Sequence, residues 1–99
     1  MNLKDYKQVS SIYTTTDDSI FYIDEENNRK VDDDAVNEIE RLLLEGYPIW
    51  PLVVDNYQWG LLVRDGQHRL QAIKNINKTI NVKIEIPFYL WYLGYVIQR

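Results

Sequence analysis

Ninety-nine residues, 45% of them apolar, are enough for one modest core, too few for two independently folding units and too apolar for wholesale disorder. The absence of cysteine excludes a disulfide scaffold, a zinc ribbon and thiol chemistry. The net charge of −4 is unevenly spread: residues 1–50 hold 12 acids and 5 bases, and residues 51–99 hold 3 acids and 6 bases, which disfavours non-specific DNA binding and points the search for a basic pocket to the second half.

Along the chain, the β-branched and aromatic residues of Ser10–Thr16 suit a strand, and Ile20–Ile23 is a short apolar run suited to a buried one. Asp24–Arg29 has loop composition. A helix is expected over 33–45. Asp32, Asp33 and Asp34 supply N-cap and first-turn carboxylates, while Val36, Ile39, Leu42 and Leu43 recur at helical spacing. Gly46 stands at the C′ position and Pro48 blocks continuation.

Trp50–Val54 and Trp59–Val63 then read as two strands of a hairpin joined by the loop Asp55–Gln58, an intervening bulge being equally compatible. A second helix is expected over 66–76, with Asn75 and Asn77 as stop residues. Lys78–Ile86 alternates Ile80, Val82, Ile84 and Ile86 against polar residues, which predicts a half-buried strand that Pro87 ends or forces to a sheet edge. The aromatic segment 88–97 either completes the core or forms a partner or homodimer interface. With no apolar run near the ~18 residues of a membrane span and no signal peptide, the expected setting is cytoplasmic, with no membrane partner. The elements together predict a compact α+β domain occupying residues 1–99.

One stretch carries chemistry: Arg64-Asp65-Gly66-Gln67-His68-Arg69-Leu70, where a strand feeds a helix. Backbone amides at a helix start are unpaired donors that attract anions, and a glycine lets a phosphate approach closely. Arg69 heads the Ile73/Ile76 stripe of its own helix, and its permanent charge demands a partner: Asp65, Glu85 or a ligand anion. His68 falls opposite that stripe, either as an ordinary exposed histidine or as a donor or proton carrier. Asp65 either caps the helix amides, excluding phosphate, or turns away to accept a proton or hold a divalent cation.

The element LLVRDGQHRLQAIK resembles the signature of the ParB/sulfiredoxin superfamily, in the Asp-Gly-Gln-His-Arg form found in phage- and plasmid-encoded ParB-like "nuclease domain" proteins. Asn28-Arg29-Lys30-Val31 and Pro51-Leu52-Val53-Val54 resemble that family's Asn-Arg and Pro-Ile-x-Val segments, so the likeness spans about residues 20–86. It implies a phosphate-binding turn at Gly66, Gln67, His68 and Arg69, with Arg29 as a second phosphate contact. It further implies CTP or ATP with Mg²⁺ as ligand, and NTPase, phosphoryl-transfer or nuclease activity with Asp65 or His68 handling the proton. Gln67 stands where sulfiredoxins carry their cysteine, which excludes sulfinic-acid reduction by that route. The acids Asp24, Glu25, Asp55 and Asp65 form no metal-ligand pattern, and the chain ends at Arg99 without room for a helix-turn-helix domain, so a DNA clamp is not expected. The competing expectation is a non-enzymatic protein that engages a host or defence protein through its acidic first half or aromatic tail.

Overall fold

The structure is a computed structural model that describes residues 7–9, 12–23 and 31–90. These residues form an α+β fold, as expected. Its six strands are β1 (Lys7–Val9), β2 (Ile12–Thr15), β3 (Phe21–Ile23), β4 (Leu52–Tyr57), β5 (Gly60–Asp65) and β6 (Ile86–Leu90). They lie in the order β1-β2-β6-β4-β5-β3, with the β3/β5 and β4/β6 pairs parallel and the rest antiparallel. Helix α2 (Gln67–Ile80) packs on the sheet, and α1 (Asp33–Leu44) packs alongside α2. No helix among the described residues is long and apolar enough to cross a membrane.

Cross-strand register explains the core. Tyr13, Phe88 and Leu52 align in one row, and Leu90, Val54 and Val63 in the next. With Phe21, Leu61 and Ile86 they meet Leu70 and Ile73 of α2, and Phe88 packs edge-on to Phe21 at 5.4 Å while stacking on Tyr13 at 5.6 Å. Asp55, Leu62 and Arg64 alternate to the opposite face, where Arg64 pairs with Asp55 at 3.4 Å.

The hairpin loop is shorter than the sequence suggests. Tyr57 pairs with Gly60, leaving only Gln58 and Trp59 as the turn, because Asp55–Tyr57 continue β4. Gly60 has φ +155, and a Cβ there would run into the Tyr22 ring. Tyr22 stands edge-on to Trp59 at 5.1 Å, and Trp59 stacks on Tyr57 at 5.2 Å, so three rings clamp the edge strand β3 over the turn. Gly60→Ala is therefore expected to destabilise the fold by about 1–2 kcal/mol, through backbone strain and displacement of the half-exposed Tyr22. A lowered thermal midpoint by circular dichroism is the readout.

Helix α1 begins as expected. The Asp32 carboxylate accepts the Asp34 N–H at 3.0 Å, and Asp33 and Asp34 occupy the first turn. It ends in a Schellman motif, with Gly46 at φ +96 donating to Leu43 O at 3.0 Å and Tyr47 donating to Leu42 O at 3.1 Å. On its exposed side Arg41 links Glu38 and Glu45. The Arg41 hydrogen bond holds the Glu38 carboxyl below its ordinary range, so this link supports the helix at neutral pH and weakens as pH falls through the lowered value.

Helix α2 and the segment after it depart from the expectation. The helix runs to Ile80 rather than 76, and it stops at Asn81 in the left-handed conformation. Neither Asn75 nor Asn77 is a stop. Asn75 accepts from Gln71 at 2.9 Å. Asn77 donates to Asp18 at 2.8 Å and accepts the Ile84 N–H at 3.1 Å. Asn77 thus ties the segment after α2 down to the 3-10 turn Asp18–Ile20. The strand expected over Lys78–Ile86 is accordingly absent: Lys78–Ile80 are helical, 81–85 are irregular, and Ile80 and Val82 are exposed. The strand starts at Ile86 and passes through Pro87 in the interior of the sheet, not at its edge. Pairing with β4 begins only at Phe88, so no N–H is demanded of Pro87 on that side. Of the aromatic segment 88–97, residues 88–90 belong to β6 and the remainder lies outside the described residues.

Candidate functional site

The site is built where β5 hands over to α2. Register runs Val54↔Val63 and then Val53↔Asp65, leaving Arg64 as an extra residue. Simple alternation would turn Asp65 toward the core with Val63; the irregularity re-aims it outward, and its side chain is 70% exposed. Gly66 comes next at φ +107, and it, rather than Asp65, is the N-cap of α2. Position 66 admits only glycine comfortably, because an added Cβ would lie 2.6 Å from Leu52 Cδ2 and 3.2 Å from Arg69 Nη2.

Among the described residues no side chain caps α2. The first intrahelical bond is Leu70 N–H to Gly66 O at 2.9 Å, so the amides of the first turn have no partner within the helix. The alternative in which the Asp65 carboxylate plugs those amides is not what occurs. Asp65 instead accepts from Arg69 Nη2 at 3.1 Å, while Arg69 Nη1 donates to Pro51 O at 3.1 Å. The acid that meets Arg69 is therefore Asp65 and not Glu85. Arg69 folds back beside its own helix start, 22% exposed, with two of its five donors committed.

His68 is not an ordinary exposed histidine. Its Nε2 accepts the Asp32 N–H at 3.0 Å and so joins the start of α2 to the cap of α1. The Nε2 lone pair being occupied, the neutral ring carries its proton on Nδ1 and presents a donor there. Gln67, the first residue of α2, is half-buried. Arg29 lies outside the described residues, but both ends of the segment holding it are fixed. Ile23 pairs with Val63 two residues before Asp65, and Asp32 bonds His68. The β3-to-α1 and β5-to-α2 connections therefore leave the sheet at the carboxyl ends of two parallel strands, a position where α/β sheets commonly place ligands.

Two cavities flank Arg69. One, of about 490 Å³, is lined by Trp50, Pro51, Asp65, Arg69 and Tyr89. The other, of about 460 Å³, is an apolar groove between α1 and residues 47–50. Sequence reasoning placed Trp50 in a hairpin strand, but β4 starts only at Leu52 and Trp50 is 74% exposed. The signal that would have found it is Pro48 and Pro51 on either side of it, which withhold two backbone N–H donors from any ladder there. Among the described residues no three His, Asp or Glu side chains are grouped to hold a metal ion.

Comparison with family models, with curated proteins and with solved structures finds no match to this chain.

Proposed function

We propose that this protein is a nucleotide-binding module of ParB-like type, holding the phosphates of CTP or ATP at the start of α2. The observation that carries the reading is the N-terminus of α2 behind Gly66, which no side chain among the described residues caps, with the Arg69 guanidinium folded beside it and paired, among the described residues, with one solvent-exposed acid. Amides and guanidinium supply the positioning and charge neutralisation that phosphate needs. In this reading His68 adds the Nδ1–H donor, and the exposed Asp65 carboxylate accepts the proton in a phosphoryl-transfer step. Mg²⁺ enters, in this reading, on the nucleotide's own phosphates, which suits its habit of keeping several waters.

Asp65 tempers the site, since it competes with phosphate for Arg69 and repels it. Asp65→Asn is therefore expected to tighten nucleotide binding in EDTA about fivefold, the equivalent of ~1 kcal/mol for one partly screened charge pair. Calorimetric titration with CTP, ATP and ADP, with and without Mg²⁺, is the test. Saturable heat that strengthens in Asp65→Asn supports the reading, and no heat for any nucleotide at millimolar concentration removes it.

The second reading is a non-enzymatic interaction protein, and the Arg69–Asp65 contact favours it because it makes Arg69 a structural ion pair. The exposed acids Asp33, Asp34, Glu38 and Glu45 of the α1 region would then face a basic partner. It takes precedence if the titrations are silent.

A further inference from the structure

Most described aromatic rings are engaged with one another. Tyr13, Phe21 and Phe88 pack in the core, and Tyr22, Tyr57 and Trp59 clamp the hairpin. Tyr47, Trp50 and Tyr89 make no ring contact among the described residues, at exposures of 59%, 74% and 41%. All three line the cavities on either side of Arg69, and Trp50 lines both. A tryptophan left mostly in water stabilises the fold little, and its placement next to Pro51, whose carbonyl anchors the Arg69 guanidinium, sets a flat apolar surface beside a fixed positive charge.

We infer that Trp50 is the base-stacking platform of this site, so that the aromatic base of a nucleoside phosphate, and not its phosphates alone, is recognised here. This rests on the anion reading above and adds the source of selectivity. A π-face suits every base, and Tyr89, which lines the same cleft, supplies a second ring. The cleft volume of about 490 Å³ lies within the range of small-molecule sites.

The experiment compares ATP, CTP and inorganic tripolyphosphate on the full chain, as wild type, Trp50→Ala and Trp50→Phe. Wild type is expected to bind the nucleotides about 10–100-fold more tightly than tripolyphosphate, the usual worth of one stacked base. Trp50→Ala should bring nucleotide affinity down to that of tripolyphosphate while leaving tripolyphosphate binding unchanged; Trp50→Phe should keep most of the difference. Nucleotide should also quench the tryptophan emission of wild type, and the quench should vanish in Trp50→Phe, which retains Trp59 and Trp91. Tripolyphosphate binding as well as nucleotide, or an unchanged ratio in Trp50→Ala, overturns the stacking inference and leaves the anion site standing. Absence of binding by all three probes overturns both.

Discussion

Arg69→Ala is expected to weaken nucleotide binding about 30-fold or more while the chain still folds. A charge-assisted hydrogen bond is worth about 1.5–3 kcal/mol, and arginine offers phosphate a two-pronged contact. The structural part of the loss is smaller. Asp65, mostly exposed, returns to water at little penalty, and only the partly buried Pro51 carbonyl loses its donor. The expected stability decrease is about 1 kcal/mol, or roughly 4–8 °C in thermal midpoint. Arg69→Lys keeps the charge without the fork and should fall between the two. Calorimetry beside thermal melts separates the effects. A folded Arg69→Ala protein that binds nucleotide as wild type does would move Arg69 from the site to the scaffold.

Gly66→Ala is expected to have the largest effect on stability, about 3 kcal/mol. Holding a non-glycine residue in the left-handed region costs about 1–2 kcal/mol. The new methyl must also find room against Leu52, which is fully buried in the sheet and cannot retreat. Forcing an extra carbon into packed surroundings adds a further ~1–3 kcal/mol. For a domain of this size the thermal midpoint should drop by roughly 12–24 °C. Binding should suffer as well, because the same methyl presses on Arg69 Nη2. A midpoint within a few degrees of wild type would show that Leu52 and the helix start are looser than this packing implies. The contrast with Gly60 is one of degree, since the nearest obstacle there is the half-exposed Tyr22 ring, with the Ile20 carbonyl oxygen 3.0 Å from the added carbon.

Legibility of the fold tracked the reach of the interactions involved. Helix α1 was readable almost to the residue because its signals are local: the Asp32 cap, the apolar stripe and the Gly46 C′ position act within a few residues of one another. The end of α2 was not, because Asn77 behaves as a staple only once Asp18, 59 residues away, is beside it. The alternation from Ile80 to Ile86 looked like a strand, yet Ile80 and Val82 face water. Period-two patterning has no consequence where no neighbouring strand offers its hydrogen bonds. Pro87 misled for the same reason, since whether an N–H is missed depends on where the partner ladder begins.

The site divides along the same line. The strand–glycine–helix order and the demand for a partner at Arg69 were written in the chain itself, since each is a property of one residue type at one junction, whereas the need for glycine at position 66 comes from the Leu52 side chain brought against it. Which acid answers Arg69, that His68 holds the cap of α1, and that Trp50 stands exposed beside the guanidinium were settled by tertiary structure alone. The physical reason is one irregularity in β5 and one helix-to-helix contact. A register shift decides to which side of a sheet a carboxylate points, and packing decides which distant backbone N–H an imidazole meets.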